Sequence, residues 1–180
     1  YTFSSGVVEN AWKMNYSFGG HQFILMMPES VGTNDDSIFD RVDHALSVIP
    51  VKFFGLIKTL QVDPGNRPDA AADASREYVV NLYLNGAGSH VPQERLDRTM
   101  VHEFGHLISF AQEKTDSDFW TKWNKAIEAD GLGVSRYSFT NQDEDFAETF
   151  VIYYSGGKAD SAIRTKYAQR FAILDKIFSK

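Results

Sequence analysis

The 180-residue chain contains no cysteine. Disulfides, thiolate metal ligands and cysteine nucleophiles are therefore excluded, although this says little about compartment. No apolar run approaches the roughly 18 residues of a membrane-spanning helix, so no membrane span is expected. Basic residues are in deficit, with 18 Lys and Arg against 24 Asp and Glu for a net charge of −6. With no block of like charge besides, nucleic acid and anionic membranes are not expected partners. The chain opens on Tyr1 without a basic and then apolar leader, as expected of a mature or excised domain.

What is present is ordinary globular material, 43% hydrophobic and 23% charged, and its length predicts one domain over 1–180. Residues 1–20 are rich in Ser, Gly, Asn and aromatics and read as a loose segment packing Trp12, Tyr16 and Phe18 on the body. His21–Met27 is a short apolar run before Pro28, hence a buried strand. Ile38, Val42, Ala45, Leu46 and Ile49, after the capping residues Asn34 to Asp36, predict an amphipathic helix stopped by Pro50. His21 and His44 read as structural. A second strand is expected in 56–62, then an exposed loop from Asp63 to Ser75, then a strand over 77–84 bounded by Asn85-Gly86-Ala87-Gly88.

Val101-His102-Glu103-Phe104-Gly105-His106-Leu107 follows, within a helical stripe of Leu96, Met100, Phe104, Leu107 and Ala111. Residues four apart share one helical face. His102 and His106 can thus point at one metal ion, with Glu103 beside any water the ion binds. Two histidine ligands and a proton-accepting carboxylate are the arrangement of zinc peptidases. The bland alternative is a buried helix with two satisfied histidines.

A third ligand must come from elsewhere. Ser109 and Gln112 exclude a third histidine in the HExxHxxGxxH pattern, and the absence of cysteine excludes a thiolate. Carboxylates remain, in Asn141-Gln142-Asp143-Glu144-Asp145-Phe146-Ala147-Glu148, which reads as an Asn-capped helix running to Gly156-Gly157. Glu144 and Glu148 are again four apart. One could ligate while the other orients a ligand, and the residues alone leave open which.

HEFGH, followed about 30 residues on by Tyr137-Ser-Phe-Thr-Asn-Gln-Asp-Glu144-Asp-Phe-Ala-Glu148, resembles the catalytic domain of anthrax lethal factor and the related secreted Pro-Pro endopeptidases. Their pattern is a tyrosine, then seven residues later the zinc-binding glutamate, then Phe-Ala-Glu. The likeness covers 101–154 position by position, extends to 77–88 and to a closing helix over 159–179, and reaches 1–75 only in outline. Asp145 stands where those relatives carry an aromatic, and the linker to the tyrosine is shorter than in lethal factor. These departures bear on substrate preference.

The resemblance implies Zn2+ held by His102, His106 and Glu144, with Glu148 behind them, and catalysis by Glu103 with Tyr137 as oxyanion donor. It implies an α+β zincin-like fold: a small mixed sheet, an active-site helix and a mostly helical C-terminal part. The expected function is a secreted, toxin-related zinc endopeptidase. Its peptide or protein substrate would lie extended along the 77–84 strand by β-augmentation, an ordinary sheet strand being the alternative. A non-catalytic module retaining the fold, and a latent protease domain of a larger protein, are the rival expectations. Substrate sequence and oligomeric state are not encoded in any recognisable pattern.

Overall fold

The computed structural model describes residues 1–31, 36–65, 67, 70–83 and 91–179. The chain forms two compact units, Tyr1–Leu107 and Ile108–Lys180, and is mixed α and β. Among the described residues, no helix is long and apolar enough to cross a membrane.

The first unit is built on a five-stranded mixed sheet of order β1-β2-β3-β5-β4. β1 (Ala11–Phe18) pairs antiparallel with β2 (His21–Pro28). They are joined by Gly19-Gly20, whose φ angles of 57° and 81° supply the left-handed backbone that a tight hairpin turn requires. The expectation of a loose segment over 1–20 is corrected here. Trp12, Met14, Tyr16 and Phe18 alternate with Lys13, Asn15 and Ser17, the period of two that a pleated strand needs. β3 (Thr59–Asp63) runs parallel to β2 and to β5 (Val79–Tyr83). The expected 63–75 loop contains a short strand, β4 (Ala72–Ala74), antiparallel to β5.

That short strand bears on where an extended substrate could pair. Val80, Asn81 and Leu82 of β5 already have neighbours on both sides, Leu60 to Val62 of β3 and Ala72 to Ala74 of β4. Strand addition needs an open row of backbone donors and acceptors, and over this stretch β5 has none. Among the described residues, the free edge there belongs to β4. Leu84, the Gly-rich turn and the Pro68-Asp69 part of the loop lie outside the described residues.

The two sheet faces differ in character. Leu25, Met27, Leu60, Val62, Val80 and Leu82 are all fully buried on one face. With the stripes of α1 (Asp36–Ser47; Val42, Ala45, Leu46) and the first half of α2 (Gln93–Thr115; Leu96, Met100, Phe104) they make the core of this unit. Phe54, from a 3-10 turn at Val51–Leu56, meets Phe104 edge-on at 5.8 Å. Gln61, Asp63, Asn81 and Tyr83 lie on the opposite face and are buried although polar. Burial of such groups costs stability unless each is hydrogen-bonded, and here the chain's own first residues supply partners. Tyr1 donates its phenol to Gln61 at 2.8 Å, and Asp63 accepts from the Ser5 amide at 2.8 Å and the Ser5 hydroxyl at 2.5 Å. Tyr83 donates to Asp73 at 2.5 Å and lies 2.8 Å from the Ser4 hydroxyl, while Asn81 donates to Asp73 at 2.6 Å.

The second unit holds the end of α2 and four further helices: α3 (Phe119–Asp130), α4 (Gln142–Ile152), α5 (Ser161–Lys166) and α6 (Ala168–Phe178). Its core is aromatic. Trp123 packs on Phe146 at 4.7 Å, and Tyr153 meets Phe171 at 5.1 Å and Phe178 at 5.0 Å. The single closing helix expected over 159–179 is broken at Tyr167 (φ −122°, ψ 38°). The apolar stripe was continuous, but the backbone was not.

Candidate functional site

α2 is a 23-residue helix that begins just after Pro92 and carries Glu94 in its first turn. Leu96, Met100, Phe104 and Leu107 are buried along one side, which fixes the rotation of the helix and hence where its neighbours point. His102 and His106, one turn apart, come together: their Nε2 atoms are 3.1 Å apart and their rings cross at 79° with centroids 4.8 Å apart. His106 and Glu103 are buried, and His102 is partly exposed.

α4 is started by Asn141, whose side chain accepts from the Glu144 amide at 2.9 Å. This is the expected cap, and it places Glu144 in the first turn. Glu144 is partly exposed, while Glu148, one turn later, is buried.

Tyr137 begins the 3-10 turn Tyr137–Phe139 ahead of α4. Two serines hold the turn: the Ser138 amide donates to the Ser135 hydroxyl at 3.1 Å, and the Ser138 hydroxyl to the Ser135 carbonyl at 2.8 Å. Tyr137 itself is 54% exposed.

Asp145 proves to be a structural residue, buried and turned into the second unit. It accepts from Trp123 Nε1 at 3.1 Å and from Arg170 Nη1 at 2.8 Å. Arg170 is itself fully buried, and its Nε also donates to Asp130 at 2.9 Å. Burial pushes the Asp145 carboxyl above the usual carboxylate range, against the opposing pull of Arg170 and Trp123. The departure at this position therefore holds α4 down from behind, next to Glu144, rather than facing outward.

The second unit also holds a cavity of about 410 Å³ between α3, the 131–139 segment and the start of α4. Its sequence signal is the concentration of Leu132, Tyr137 and Phe139 within eight residues between α3 and α4.

The family model described as "Anthrax toxin lethal factor, N- and C-terminal domain" matches residues 78–177, just over half the chain. Comparison with curated proteins and with solved structures returned no match.

Proposed function

Because the chain belongs to the family of the anthrax toxin lethal factor N- and C-terminal domain, we propose that it is a zinc-dependent endopeptidase with a zincin-like fold. The Pro-Pro endopeptidases are its expected chemical kin, and a secreted setting goes with them. The observation that carries the reading is the convergence of the His102 and His106 Nε2 atoms to 3.1 Å. Two bonds of about 2.0–2.1 Å to a tetrahedral zinc separate their nitrogens by roughly 3.3 Å, so the pair is already close to the required spread. Two imidazoles and a carboxylate are also the donor set that zinc prefers in hydrolytic sites. The residues fit the ion.

In this reading His102, His106 and Glu144 hold zinc, which when bound acts as a Lewis acid and lowers the pKa of its water to about 7. Glu103 takes a proton from the attacking water on its carboxylate and delivers it to the leaving amine. Its burial keeps the carboxylate in a medium where such a transfer is little screened. Tyr137 donates its phenolic O–H to the substrate carbonyl oxygen as that oxygen gains charge. Glu148, buried one turn beyond Glu144, accepts from a ring N–H of a ligating histidine and fixes the ring's orientation. The substrate is a peptide or protein bound in extended form.

The test combines metal content with cleavage. Protein purified without chelator should carry about one zinc per chain and cut members of a peptide library, with cut sites read by mass spectrometry. Absence of zinc after incubation with excess ion would end the enzyme reading in favour of a non-catalytic module. Zinc without cleavage would point to a latent form.

A further inference from the structure

Of the two outer strands of the first unit's sheet, β4 has three residues and β1 has eight. Proteins blunt an exposed edge by keeping it short, bulging it, or placing proline or charge on it. β4 is blunted by its length. β1 pairs with β2 through eight consecutive residues without a bulge, contains no proline, and carries a single charge, Lys13. Among the described residues, no strand pairs with its outer side.

The backbone groups on that outer side can be named. The Ile24 amide donates to the Lys58 carbonyl, which turns the Ile24 backbone towards β3. Backbone direction alternates along a strand, so Phe23, Leu25 and Met27 are turned towards β1, where they lie opposite Tyr16, Met14 and Trp12. The Glu29 amide, which donates to the Asn10 carbonyl at 2.9 Å, gives the same phase. Ala11, Lys13, Asn15 and Ser17 therefore aim both N–H and C=O away from the sheet. The side chains point the same way in their chemistry. Trp12 shares the face of its partner Met27, which is fully buried, yet Trp12 is 50% exposed. The apolar face thus continues to the edge and ends on a half-uncovered indole.

We propose that β1 pairs antiparallel with β1 of a second copy of this chain, joining the two sheets across a two-fold axis at Met14. An axis perpendicular to the sheet is isologous and keeps each apolar face level with its counterpart. Centred on Met14, the pairing sets Ala11 against the partner's Ser17 and Lys13 against the partner's Asn15, and every outward N–H and C=O of both strands is bonded. Centring on Lys13 or on Asn15 strands Ser17 or Ala11, and the former also opposes two lysines, which is destabilising. In the Met14 register Trp12 lies directly across from the partner's Tyr16, an aromatic pair of the kind that stabilises sheets. The strand meets each of these demands from its own sequence, and for that reason the occupant is a second copy rather than a foreign peptide. Two eight-residue strands and two half-exposed indoles make a contact at the small end of stable interfaces, about 1,200 Å². A dimer dissociation constant on the order of 10–100 µM is expected. The inference does not depend on the peptidase reading.

Sedimentation velocity on the full chain, from about 1 to about 300 µM, should show monomer passing into dimer. Over the same range the Lys13, Asn15 and Ser17 amides should pass from fast to at least roughly tenfold slower hydrogen exchange. Asn15→Pro should weaken association at least roughly tenfold with an unchanged circular dichroism spectrum, because that amide points outward and proline is tolerated on such an edge. A third measurement does not rely on proline being accommodated. The chain has no cysteine, so Met14→Cys introduces a lone thiol. In the proposed register it faces its own copy with Cα atoms about 4.5 Å apart, within disulfide reach. It should cross-link on mild oxidation at least roughly tenfold faster than Lys13→Cys or Asn15→Cys. A chain that stays monomeric throughout overturns the proposal and leaves the edge to a foreign strand. A dimer indifferent to Asn15→Pro, or faster cross-linking at position 13 or 15, overturns it as well. Outward amides protected at every dilution would do the same, by showing that the chain covers its own edge.

Discussion

Replacing Arg170 by methionine isolates the most heavily buried charge cluster of the second unit. The Arg170 side chain is fully buried, and its partners Asp130 and Asp145 are only 3% and 4% exposed at their side chains. Nε donates to Asp130 at 2.9 Å, Nη1 to Asp145 at 2.8 Å, and Nη2 to the Leu132 carbonyl. Methionine keeps much of the apolar stem but none of these bonds, and it leaves two carboxylates enclosed without a counter-charge. Breaking a buried pair from one side costs about 3–5 kcal/mol. For a chain of this size, each kcal/mol lowers Tm by about 2–4 °C, so a fall of roughly 6–20 °C is expected by far-UV circular dichroism.

The pH dependence has a definite sign. The Asp145 carboxyl sits above its usual range because burial outweighs Arg170, so its native pKa exceeds its unfolded one. Ionisation then costs stability, and the loss grows as pH rises from the unfolded pKa through the native one. Removing Arg170 raises the native pKa further. The Tm deficit of the variant should therefore be larger at pH 7 than at pH 5. Adding Asp130→Asn and Asp145→Asn should restore much of the loss, since the stranded charges are then gone. A variant melting within about 2 °C of the parent at pH 7, or a deficit that shrinks as pH rises, would refute this account.

Glu103→Gln should keep zinc and an unchanged circular dichroism spectrum while turnover falls about 10²–10⁴-fold or more; cleavage at the parent rate would remove Glu103 from its role as base. His102→Ala and His106→Ala should each purify without metal, as measured by plasma mass spectrometry, and undiminished zinc would refute their assignment as ligands. Glu144→Ala should likewise empty the site, whereas Glu148→Ala should retain zinc with affinity or activity weakened about 10–100-fold. The opposite result would exchange their roles. Tyr137→Phe should bind zinc normally and slow single-turnover cleavage about 10–10³-fold, and an unchanged rate would leave the phenol without a catalytic part.

The elements legible in the sequence were those whose periodicity is long or whose caps are explicit. α2 announces itself through Leu96, Met100, Phe104 and Leu107, and α4 through Asn141. α2 carries its two proposed ligands, and α4 its proposed ligand and the supporting Glu148, at a spacing that puts each pair on one face. β1 was equally periodic, but the Ser, Gly and Asn content of residues 1–20 hid a strict alternation of Trp12, Met14, Tyr16 and Phe18. β4 was not legible at all. Three residues of Ala-Asp-Ala have little strand propensity, and they pair because β5 offers a partner and Asp73 bonds to Asn81 and Tyr83. The break at Tyr167 had no Gly or Pro to announce it. Asp145 could be recognised as a departure from a pattern, but its reason, Arg170, lies 25 residues away and is visible only once the chain is folded.

The buried polar row on the first unit's sheet has a consequence for how the chain folds. Gln61 lies opposite Asn81, and Asp63 opposite Tyr83, across the parallel pairing of β3 and β5. Sliding one strand by a single residue would turn Gln61 and Asp63 into the hydrocarbon side of the sheet and send Leu60 and Val62 out of it. Enclosing an unbonded polar group costs about 1–3 kcal/mol, and more if charged, so each wrong register is penalised on both faces at once. The N-terminal residues are joined to this row across sequence separations of 58 to 79 residues. Such distant closures cost chain entropy that only a formed binding surface repays. Tyr1, Ser4 and Ser5 are therefore expected to dock late, and to dock well only where β3 and β5 have aligned. These bonds of Tyr1, Ser4 and Ser5 favour the register in which Gln61 meets Asn81 and Asp63 meets Tyr83.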